Sequence, residues 1–226
     1  MAQVTLYSAR ACPFAHRTRL VLAHKHIDFT LEEIDLQNKP SWFSSVSAYG
    51  KVPAISHAGL HLWESAVVNE YLDEVFPEPA LLPRTAGARA QARIWIDYAN
   101  TRFVGAFGTL LRSQSEQEAS GARSALLESL GFIEAEGLKK LGAGGPYFLG
   151  AEPSLVDFTF YPWFERWGAL THYRGFAVPS ELARLHAWRA AVAALPAVKA
   201  HENTTAYYVE RYARYAAPAR APEVRA

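Results

Sequence analysis

The spacing of hydrophobic positions divides the chain into a first part with mixed periodicity and a second part with helical periodicity. In the first part, alternating runs predict strands, and apolar residues three and four apart predict helices. The expected elements are a strand, a helix, a strand, a short helix, a hairpin and a helix, at residues 4–7, 14–26, 29–34, 42–46, 53–63 and 65–75. A three-residue loop at 57–59 is expected in the hairpin because it contains glycine. This order predicts a small α/β domain with helices on both faces of a mixed sheet.

Prolines mark the end of the first part. Pro77, Pro79 and Pro83 lie close together, and proline interrupts both helices and strands. Beyond them helices are expected at residues 86–111, 116–141, 154–170, 179–194 and 197–215. We therefore predict a thioredoxin-like domain, a linker and an all-helical domain, at residues 1–78, 79–88 and 89–226. The tail, residues 216–226, holds few apolar anchors and is expected to fray.

Composition and charge narrow the range of functions. Half of the 226 residues are hydrophobic, a fifth are charged, and the formal net charge is +1, with both signs interspersed. This balance is typical of a globular protein and gives no sign of a nucleic-acid partner. The N-terminus lacks the pattern of a signal peptide, and no apolar run approaches the roughly 20 residues of a membrane span. We therefore expect a cytosolic protein with no membrane partner.

Cys12 is the only cysteine in the chain, so the fold contains no intramolecular disulfide. It stands between the first predicted strand and the first predicted helix, where Pro13 suits the first helical turn. A helix N-terminus carries unpaired N–H groups and the positive end of the helix dipole, and it favours the thiolate that makes cysteine reactive. The position indicates a reactive thiol, and the alternative is a small buried apolar residue. His16, one turn later, is expected to be exposed.

The order and spacing of several short motifs resemble the cytosolic glutathione transferases, and the omega class most closely. The matches include Cys-Pro-Phe-Ala at 12–15, Gly-Lys-Val-Pro at 50–53 and Trp-Glu-Ser-Ala at 63–66. Further matches lie at residues 17–22, 38–40, 42–43, 70–74, 81–83, 154–157 and 162–166. The resemblance implies an enzyme of the glutathione transferase fold with glutathione as co-substrate. It also implies a homodimer in which the α/β domain of one subunit faces the helices of the other.

In the omega class the cysteine that matches Cys12 is the thiol nucleophile. Ala15 stands where a dithiol oxidoreductase carries its second cysteine, so a mixed disulfide at Cys12 needs an external thiol to resolve it. The resemblance therefore implies a glutathione-dependent thiol transferase or reductase. Its substrates would be small-molecule disulfides, dehydroascorbate, other glutathionylated small molecules, α-glutathionyl ketones or aromatic glutathione thioethers.

The resemblance also assigns residues to the backbone and the glycine end of glutathione. It implies a cis Val52–Pro53 bond that turns the Val52 backbone towards an extended peptide; the alternative is an ordinary proline at the start of a strand. Lys39 would face the glycine carboxylate, although alone it would be interpreted as a solvated surface charge. Phe14 would pack beside the bound tripeptide.

Glu64 and Ser65 precede or begin a predicted helix and suit the γ-glutamyl end. A helix N-terminus with a hydroxyl binds carboxylates, and Glu64 suits an ammonium group. Ser65 is also a natural N-cap, and this structural role is compatible with ligand binding.

A second pocket, for the other substrate, is expected in the helical domain. The resemblance implies that Trp163 and Arg166 line it, and Tyr207 on the last predicted helix is a further candidate for this pocket. An aromatic stripe at helical spacing is more often core than site, so Trp163 is equally a candidate for the core. The eight histidines form no convergent set of ligands, so no metal site is expected.

Two other functions fit parts of the sequence. Conventional conjugation needs a hydroxyl to activate the glutathione thiolate, and Tyr7 or Ser8 lies close to Cys12 in the sequence. A non-catalytic binding protein is the third hypothesis, since the intracellular chloride channel proteins share a Cys-Pro-Phe turn on this fold. The charged residues of the first predicted helix argue against the membrane association linked to those proteins.

Overall fold

The structure, a computed structural model, describes residues 3–216 and confirms the predicted fold, an α/β part followed by an all-helical part. The tail beyond residue 216, which the sequence predicts to fray, lies outside the described residues. The first part contains strands β1 (Val4–Ser8), β2 (Phe29–Glu33), β3 (Ala54–His57) and β4 (Leu60–Trp63) and helices α1 (Pro13–His24) and α2 (Ser65–Val75). A short 3₁₀ turn, Ser41–Ser45, stands where the sequence predicts a helix at 42–46.

The four strands form one mixed sheet in the order β2-β1-β3-β4. β1 pairs with β2 in parallel across the α1 crossover, and the other two pairs are antiparallel. The register places Leu6 of β1 opposite Leu31 in β2 and Ile55 in β3. β1 is therefore an inner strand of the sheet, and it ends directly before the turn that leads to Cys12.

The hairpin between β3 and β4 has a shorter loop than the sequence predicts. His57 extends β3, and only Ala58 and Gly59 connect the strands, with φ values of +50° and +79°. A two-residue loop with both residues at positive φ matches the right-handed twist of the flanking strands. Glycine correctly predicted the position of the loop. The pairing of His57 with Leu60 makes the loop one residue shorter than predicted.

The second part consists of α3 (Ala86–Tyr98), α4 (Val104–Arg112), α5 (Glu116–Phe132), α6 (Leu155–Glu165), α7 (Trp167–Arg174), α8 (Ala183–Ala193), α9 (Pro196–Lys199) and α10 (Thr205–Ala216). Two π-helical segments, Ala99–Phe103 and Ile133–Lys139, join α3 to α4 and lengthen α5. The helices predicted at 86–111 and 116–141 are therefore continuous but contain widened turns. None of the helices within residues 3–216 is long and apolar enough to cross a membrane.

Three predicted helices differ in extent because side chains set their ends. Arg166 separates α6 from α7, and its Nη1 donates at 2.6 Å to the Pro162 carbonyl, the acceptor that a continuing helix would use. α8 begins only at Ala183, where the Glu134 carboxylate from a distant segment accepts the N–H of Leu185 at 2.6 Å. The helix predicted at 197–215 is interrupted after α9, and α10 then begins beside Thr204, whose hydroxyl accepts a hydrogen bond from a backbone N–H of α10.

α1 lies between the sheet and the helical part, where it packs on α2 and α6. Its residues from Ala15 to Leu22 are all buried, although this stretch includes charged side chains. Leu20 and Val21 belong to one apolar cluster that runs from the sheet into the helical part. The opposite face of the sheet is covered in part by the 3₁₀ turn, through contact of Phe43 with Tyr7.

Lys25 and Asp73 fasten the linker to the α/β part. Lys25 Nζ donates to Asp73 Oδ1 at 2.6 Å and to the Pro79 carbonyl at 2.5 Å. The Asp73 carboxylate also accepts the backbone N–H groups of Leu81 and Leu82, at 2.8 and 3.0 Å. The first residues of the linker are therefore held by buried polar groups of α1 and α2.

Asp157, in the first turn of α6, organises the packing of the helical part. Its carboxylate accepts the backbone N–H groups of Phe148 and Ser154, both at 2.8 Å, and the indole N–H of Trp188 at 2.6 Å. Ser154 and Asp157 also form a reciprocal capping box. Burial raises the pKa of Asp157, and these hydrogen bonds act in the opposite direction.

We predict that Asp157→Ala strongly destabilises the protein, because it leaves several buried donors without an acceptor. Each such loss costs about 1–3 kcal/mol, so the free energy of unfolding should fall by at least about 3 kcal/mol in urea denaturation. Asp97→Ala, which removes an exposed carboxylate from α3, is the control and should change it by less than about 0.5 kcal/mol. Equal stability of the two variants would contradict this role of Asp157.

Candidate active site

Cys12 occupies the turn between β1 and α1 as the N-cap of α1. Its backbone N–H donates to the Ala9 carbonyl at 2.8 Å, which closes the turn, and Pro13 is the first helical residue. The thiol is partly exposed, and its Sγ lies 3.7 Å from the carbonyl oxygen of Val52. The chain's only thiol is therefore accessible at the start of a helix, where the sequence places it.

The segment before β3 lies against this turn. The Val52–Pro53 bond is cis, as the resemblance implies, and both residues are buried. Lys39 is exposed, and its Nζ lies 3.8 Å from the position that a Cβ on Gly50 would occupy. The structure thus brings Lys39 next to the segment that carries the cis bond, and its role towards a carboxylate stays a prediction.

The start of α2 differs from the prediction in its cap. Glu64 is the N-cap and Ser65 is already the first helical residue, so Ser65 does not cap the helix. Glu64 is exposed and has a φ of +68°, a conformation that is uncommon outside glycine and is concentrated at functional sites. Ser65 is 4% exposed, and its Oγ accepts a hydrogen bond from Arg17 Nη1 at 3.1 Å.

Arg17 connects these segments from inside the protein. Arg17 as a whole is 1% exposed; its Nη1 donates to Ser65 Oγ at 3.1 Å and to Asn100 Oδ1 at 2.8 Å. Its Nε donates to the Thr159 carbonyl in α6 at 2.9 Å. No carboxylate within residues 3–216 forms an ion pair with Arg17. Burial lowers the pKa of Arg17 to about 9, and the charge of Cys12 opposes that shift.

Phe14 and Trp163 flank the Arg17 guanidinium. The guanidinium carbon lies 5.0 Å from the ring centre of Phe14 and 4.5 Å from that of Trp163. The two rings meet edge to face at 5.1 Å. Trp163 is buried and belongs to the core at the junction of the two parts, whereas Phe14 is partly exposed beside Cys12.

Arg166 is fully buried, which differs from the pocket-lining position implied by the resemblance. Its Nη1 lies 3.2 Å from Nδ1 of His16, and its guanidinium carbon lies 4.4 Å from the ring centre of Tyr208 in α10. α10 therefore covers Arg166, and contact with a substrate would require α10 to move. Tyr207, beside Tyr208, is half-buried, so it is the predicted pocket residue with the most accessible side chain.

The expectation that His16 is exposed is wrong. Its side chain is fully buried between α1 and the helical part, because α1 is covered on both sides. Burial lowers the pKa of His16 well below 6.5, and the charges of Arg166, Arg19 and His201 lower it further. The neutral ring accepts a hydrogen bond from Arg166 at Nδ1, and Glu165 Oε1 lies 3.8 Å from the same atom.

Both hydroxyls considered for conjugation are engaged elsewhere. Ser8 is fully buried, and its Oγ accepts a hydrogen bond from Arg19 Nη1 at 2.5 Å. The Tyr7 hydroxyl accepts a hydrogen bond from Ser56 Oγ in β3 at 3.2 Å. Cys12 is therefore more accessible to a ligand than Ser8 is. The Tyr7 hydroxyl is hydrogen-bonded to the neighbouring strand β3.

Arg17 and Asn100 are bonded to the candidate site through Ser65, and the sequence did not single them out. Arg17 shares a helix face with Phe14, Leu20 and Val21 at spacings of three and four, and this spacing is the signal that predicts its burial. Asn100 lies in a π-helical segment, which no local pattern marks. No group of three His, Cys, Asp or Glu side chains within the described chain could hold a metal ion.

Comparison with known proteins gives consistent matches along the chain. Residues 11–75 match the glutathione S-transferase N-terminal domain and residues 95–191 match the C-terminal domain. Glutathione S-transferase omega-1 of Mus musculus is 32% identical over 210 residues, which is 92% of this chain and 84% of that protein. The crystal structure of glutathione transferase Omega 3C from Trametes versicolor has a TM-score of 0.84 at 28% identity and covers 94% of this chain and 90% of its own. Dehydroascorbate reductase from Chlamydomonas reinhardtii has a TM-score of 0.79 at 26% identity, over 94% and 98% of the two chains.

We predict that His16 makes the fold less stable at mildly acidic pH. Because the pKa of His16 is lowered in the folded protein, the unfolded chain binds the proton first as the pH falls below about 6.5, and stability is lost. In urea denaturation between about pH 7 and pH 5, His16→Asn should lose less stability than the wild type, since Asn offers an acceptor to Arg166 but does not titrate. His172→Asn, at an exposed position, should follow the wild type. Parallel curves for the wild type and His16→Asn would contradict the prediction.

Proposed function

Because the chain belongs to the glutathione S-transferase family and has omega-class relatives, we propose that it transfers or reduces thiols with glutathione and uses Cys12 as its nucleophile. It is a glutathione transferase, and glutathione is its co-substrate. The proposal is carried by the position of the chain's only cysteine, partly exposed at the start of α1 and 3.7 Å from the Val52 carbonyl. The similarity to a dehydroascorbate reductase supports a reductive reaction.

The proposed reaction has two steps. The Cys12 thiolate attacks the glutathione sulfur of a glutathionylated substrate, the S–S bond breaks, and the substrate leaves as a thiolate that takes a proton from water. A mixed disulfide now joins Cys12 to glutathione. The thiolate of a further glutathione attacks the glutathione sulfur of this mixed disulfide, which releases the Cys12 thiolate and glutathione disulfide. Since Ala15 provides no resolving thiol, each cycle consumes one glutathione.

Residues around Cys12 have the chemistry to hold the tripeptide. We propose that the Val52 backbone pairs with the cysteinyl residue of glutathione and that Phe14 packs beside it. Glu64, exposed at the start of α2, would bind the ammonium group, and the Ser65 hydroxyl would bind the neighbouring α-carboxylate. Lys39 would bind the glycine carboxylate at the other end. The exposure of Glu64 at the start of α2 and its positive φ support its role.

The second substrate would reach Cys12 beside α6 and α10. Tyr207 is the predicted pocket residue that such a substrate would meet first, because Tyr207 is partly exposed whereas Trp163 and Arg166 are buried. We propose that Trp163 and Arg166 shape this side of the site from within the core. A cytosolic location, expected from the sequence, would supply the reduced glutathione that the cycle consumes.

We predict that oxidised glutathione forms a mixed disulfide at Cys12. Intact-mass measurement should show one glutathione added to the protein, and reduced glutathione should remove it, because exchange proceeds through the mixed disulfide. Cys12→Ser should form no adduct and should lose at least about a hundredfold of the thiol-transfer rate, since a serine hydroxyl does not replace the thiolate. Tyr7→Phe is the matched control and should retain both properties.

Full reductase activity in Cys12→Ser would overturn the proposed mechanism. Loss of glutathione conjugation in Tyr7→Phe, with Cys12→Ser unaffected, would instead favour the conjugating function.

We also propose that the protein is a homodimer. Val67 of α2 and Ile94 of α3 are 58% and 64% exposed, and their helices are joined by the ion pair of Glu70 with Arg93, so both side chains would be available to a second subunit. Light scattering should give twice the chain mass, and Val67→Glu together with Ile94→Glu should shift it towards the monomer. A monomeric wild type at micromolar concentration would refute the proposal.

A further inference from the structure

Two exposed arginines stack on one aromatic ring near the start of α10. The guanidinium carbon of Arg10 lies 5.0 Å from the ring centre of Tyr207, and that of Arg211 lies 5.5 Å from it. The face of an aromatic ring attracts cations, so Tyr207 keeps both guanidinium groups close to it. Two like charges on one ring repel each other, and an anion between them offsets that repulsion. We call Arg10, Tyr207 and Arg211 the arginine rim.

Arg10 is fixed close to the thiol, because it precedes Cys12 by two residues. Its carbonyl accepts a hydrogen bond from Arg19 Nη2 at 3.0 Å, and its Nε donates to Asn203 Oδ1 at 2.8 Å. Its terminal nitrogens, Nη1 and Nη2, form no hydrogen bond with any residue between 3 and 216. The end of this guanidinium is therefore available to an acceptor on a ligand.

The charges of the rim are not paired with carboxylates of the described chain. None of the salt bridges within residues 3–216 includes Arg10 or Arg211. The acidic side chains beside Arg10 are Glu33, which accepts its backbone N–H, and Glu202. Both line a cavity of about 450 Å³ with Arg10 and Arg19, and Arg211 does not line it. These acidic groups therefore face a different space from Arg211.

The position of the rim determines which part of a substrate would meet it. The proposed glutathione site lies at Val52, Glu64 and Ser65, whereas the rim joins α10 to the turn before Cys12. In a glutathionylated substrate, the group bonded to the glutathione sulfur would extend away from the tripeptide. The rim would meet this group, which leaves as a thiolate when Cys12 attacks.

We propose that the arginine rim selects second substrates in which the leaving thiol carries a carboxylate: Arg10 and Arg211 bind this carboxylate while Cys12 attacks the glutathione sulfur. The inference rests on the proposed function, because it takes Cys12 as the nucleophile and places the second substrate beside α10. The two arginines hold the leaving group and take no part in the exchange of sulfur. The substrate class is therefore the mixed disulfides of glutathione with small acidic thiols.

The test compares three mixed disulfides of glutathione whose leaving thiols differ in charge. They are formed with 3-mercaptopropionate, 2-mercaptoethanol and cysteamine, which carry a carboxylate, a hydroxyl and an ammonium group. The kcat/KM for each disulfide is measured from the glutathione disulfide produced. Because leaving thiols also differ in intrinsic reactivity, each substrate is compared between the wild type and a variant, where that difference cancels.

The double variant Arg10→Gln, Arg211→Gln should lower kcat/KM for the carboxylate substrate at least about threefold, as expected for two exposed charge contacts. The value for the hydroxyl substrate should stay within about twofold, and that for the ammonium substrate should not fall. Raising the salt from about 0.05 to about 0.5 M should lower the ratio of the carboxylate to the hydroxyl value in the wild type, because salt screens exposed charges. The ratio in the double variant should stay constant.

Two further double variants separate charge from structure. Arg10→Lys with Arg211→Lys keeps both charges and should keep the carboxylate value within about threefold of the wild type. Arg84→Gln with Arg102→Gln is the matched control, because it removes two exposed arginines outside the rim. It should leave all three values unchanged.

The outcomes distinguish this inference from the proposed function. Equal losses for all three substrates in Arg10→Gln, Arg211→Gln would mean that the rim only ties α10 to the turn, and the inference would be wrong while the proposed function stands. An unchanged carboxylate value in that variant, or no effect of salt on the wild-type ratio, would also refute the inference alone. If the wild type turns over none of the three disulfides, the proposed function fails and the inference fails with it.

Discussion

The site depends on the burial of α1 between the sheet and α6. The helix that begins after Cys12 has no solvent-exposed face from Ala15 to Leu22, so its polar side chains must form hydrogen bonds within the protein. Arg17 bonds to α2, α6 and the π-helical segment after α3, and Arg19 bonds to the end of β1. The hydrogen bonds that make this burial tolerable are therefore the same ones that hold the thiol, the start of α2 and α6 in register. Stability of the junction and geometry of the site have one cause.

Positive charges outnumber negative charges in the interior next to the thiol. Cys12 interacts electrostatically with three buried arginines, Arg17, Arg19 and Arg166. Glu165 is the acidic group next to Arg166, and burial raises its pKa while the Tyr208 hydroxyl donates to it. The interior behind the site is thus more positive than negative, and such an environment stabilises anions in front of it. A thiolate and the carboxylates of a tripeptide are both anions and would both be stabilised there.

The sequence predicted features with local causes and missed those with tertiary ones. Alternation in β1 and the prolines after α2 are local signals, and the elements they mark stand where expected. The start of α8 is set by Glu134, which lies some fifty residues earlier in the chain, and periodicity does not report such a contact. His16 was misplaced because an amphipathic helix normally has one exposed face, whereas α1 is covered on both sides. The candidate site residues were named from motifs, which carry non-local information, whereas Arg17 was not singled out although its position on the apolar face was visible in the sequence.

The hydrogen bonds that hold the linker limit how the site can open. A hinge needs a few residues whose dihedral angles are free to change. Here the Asp73 carboxylate holds two successive backbone N–H groups of the linker, and Lys25 holds a carbonyl beside them. Rotation of one part against the other would break these bonds together with those of Arg17. Access to Cys12 would then depend on local elements such as α10, which covers Arg166, rather than on rotation of one part against the other.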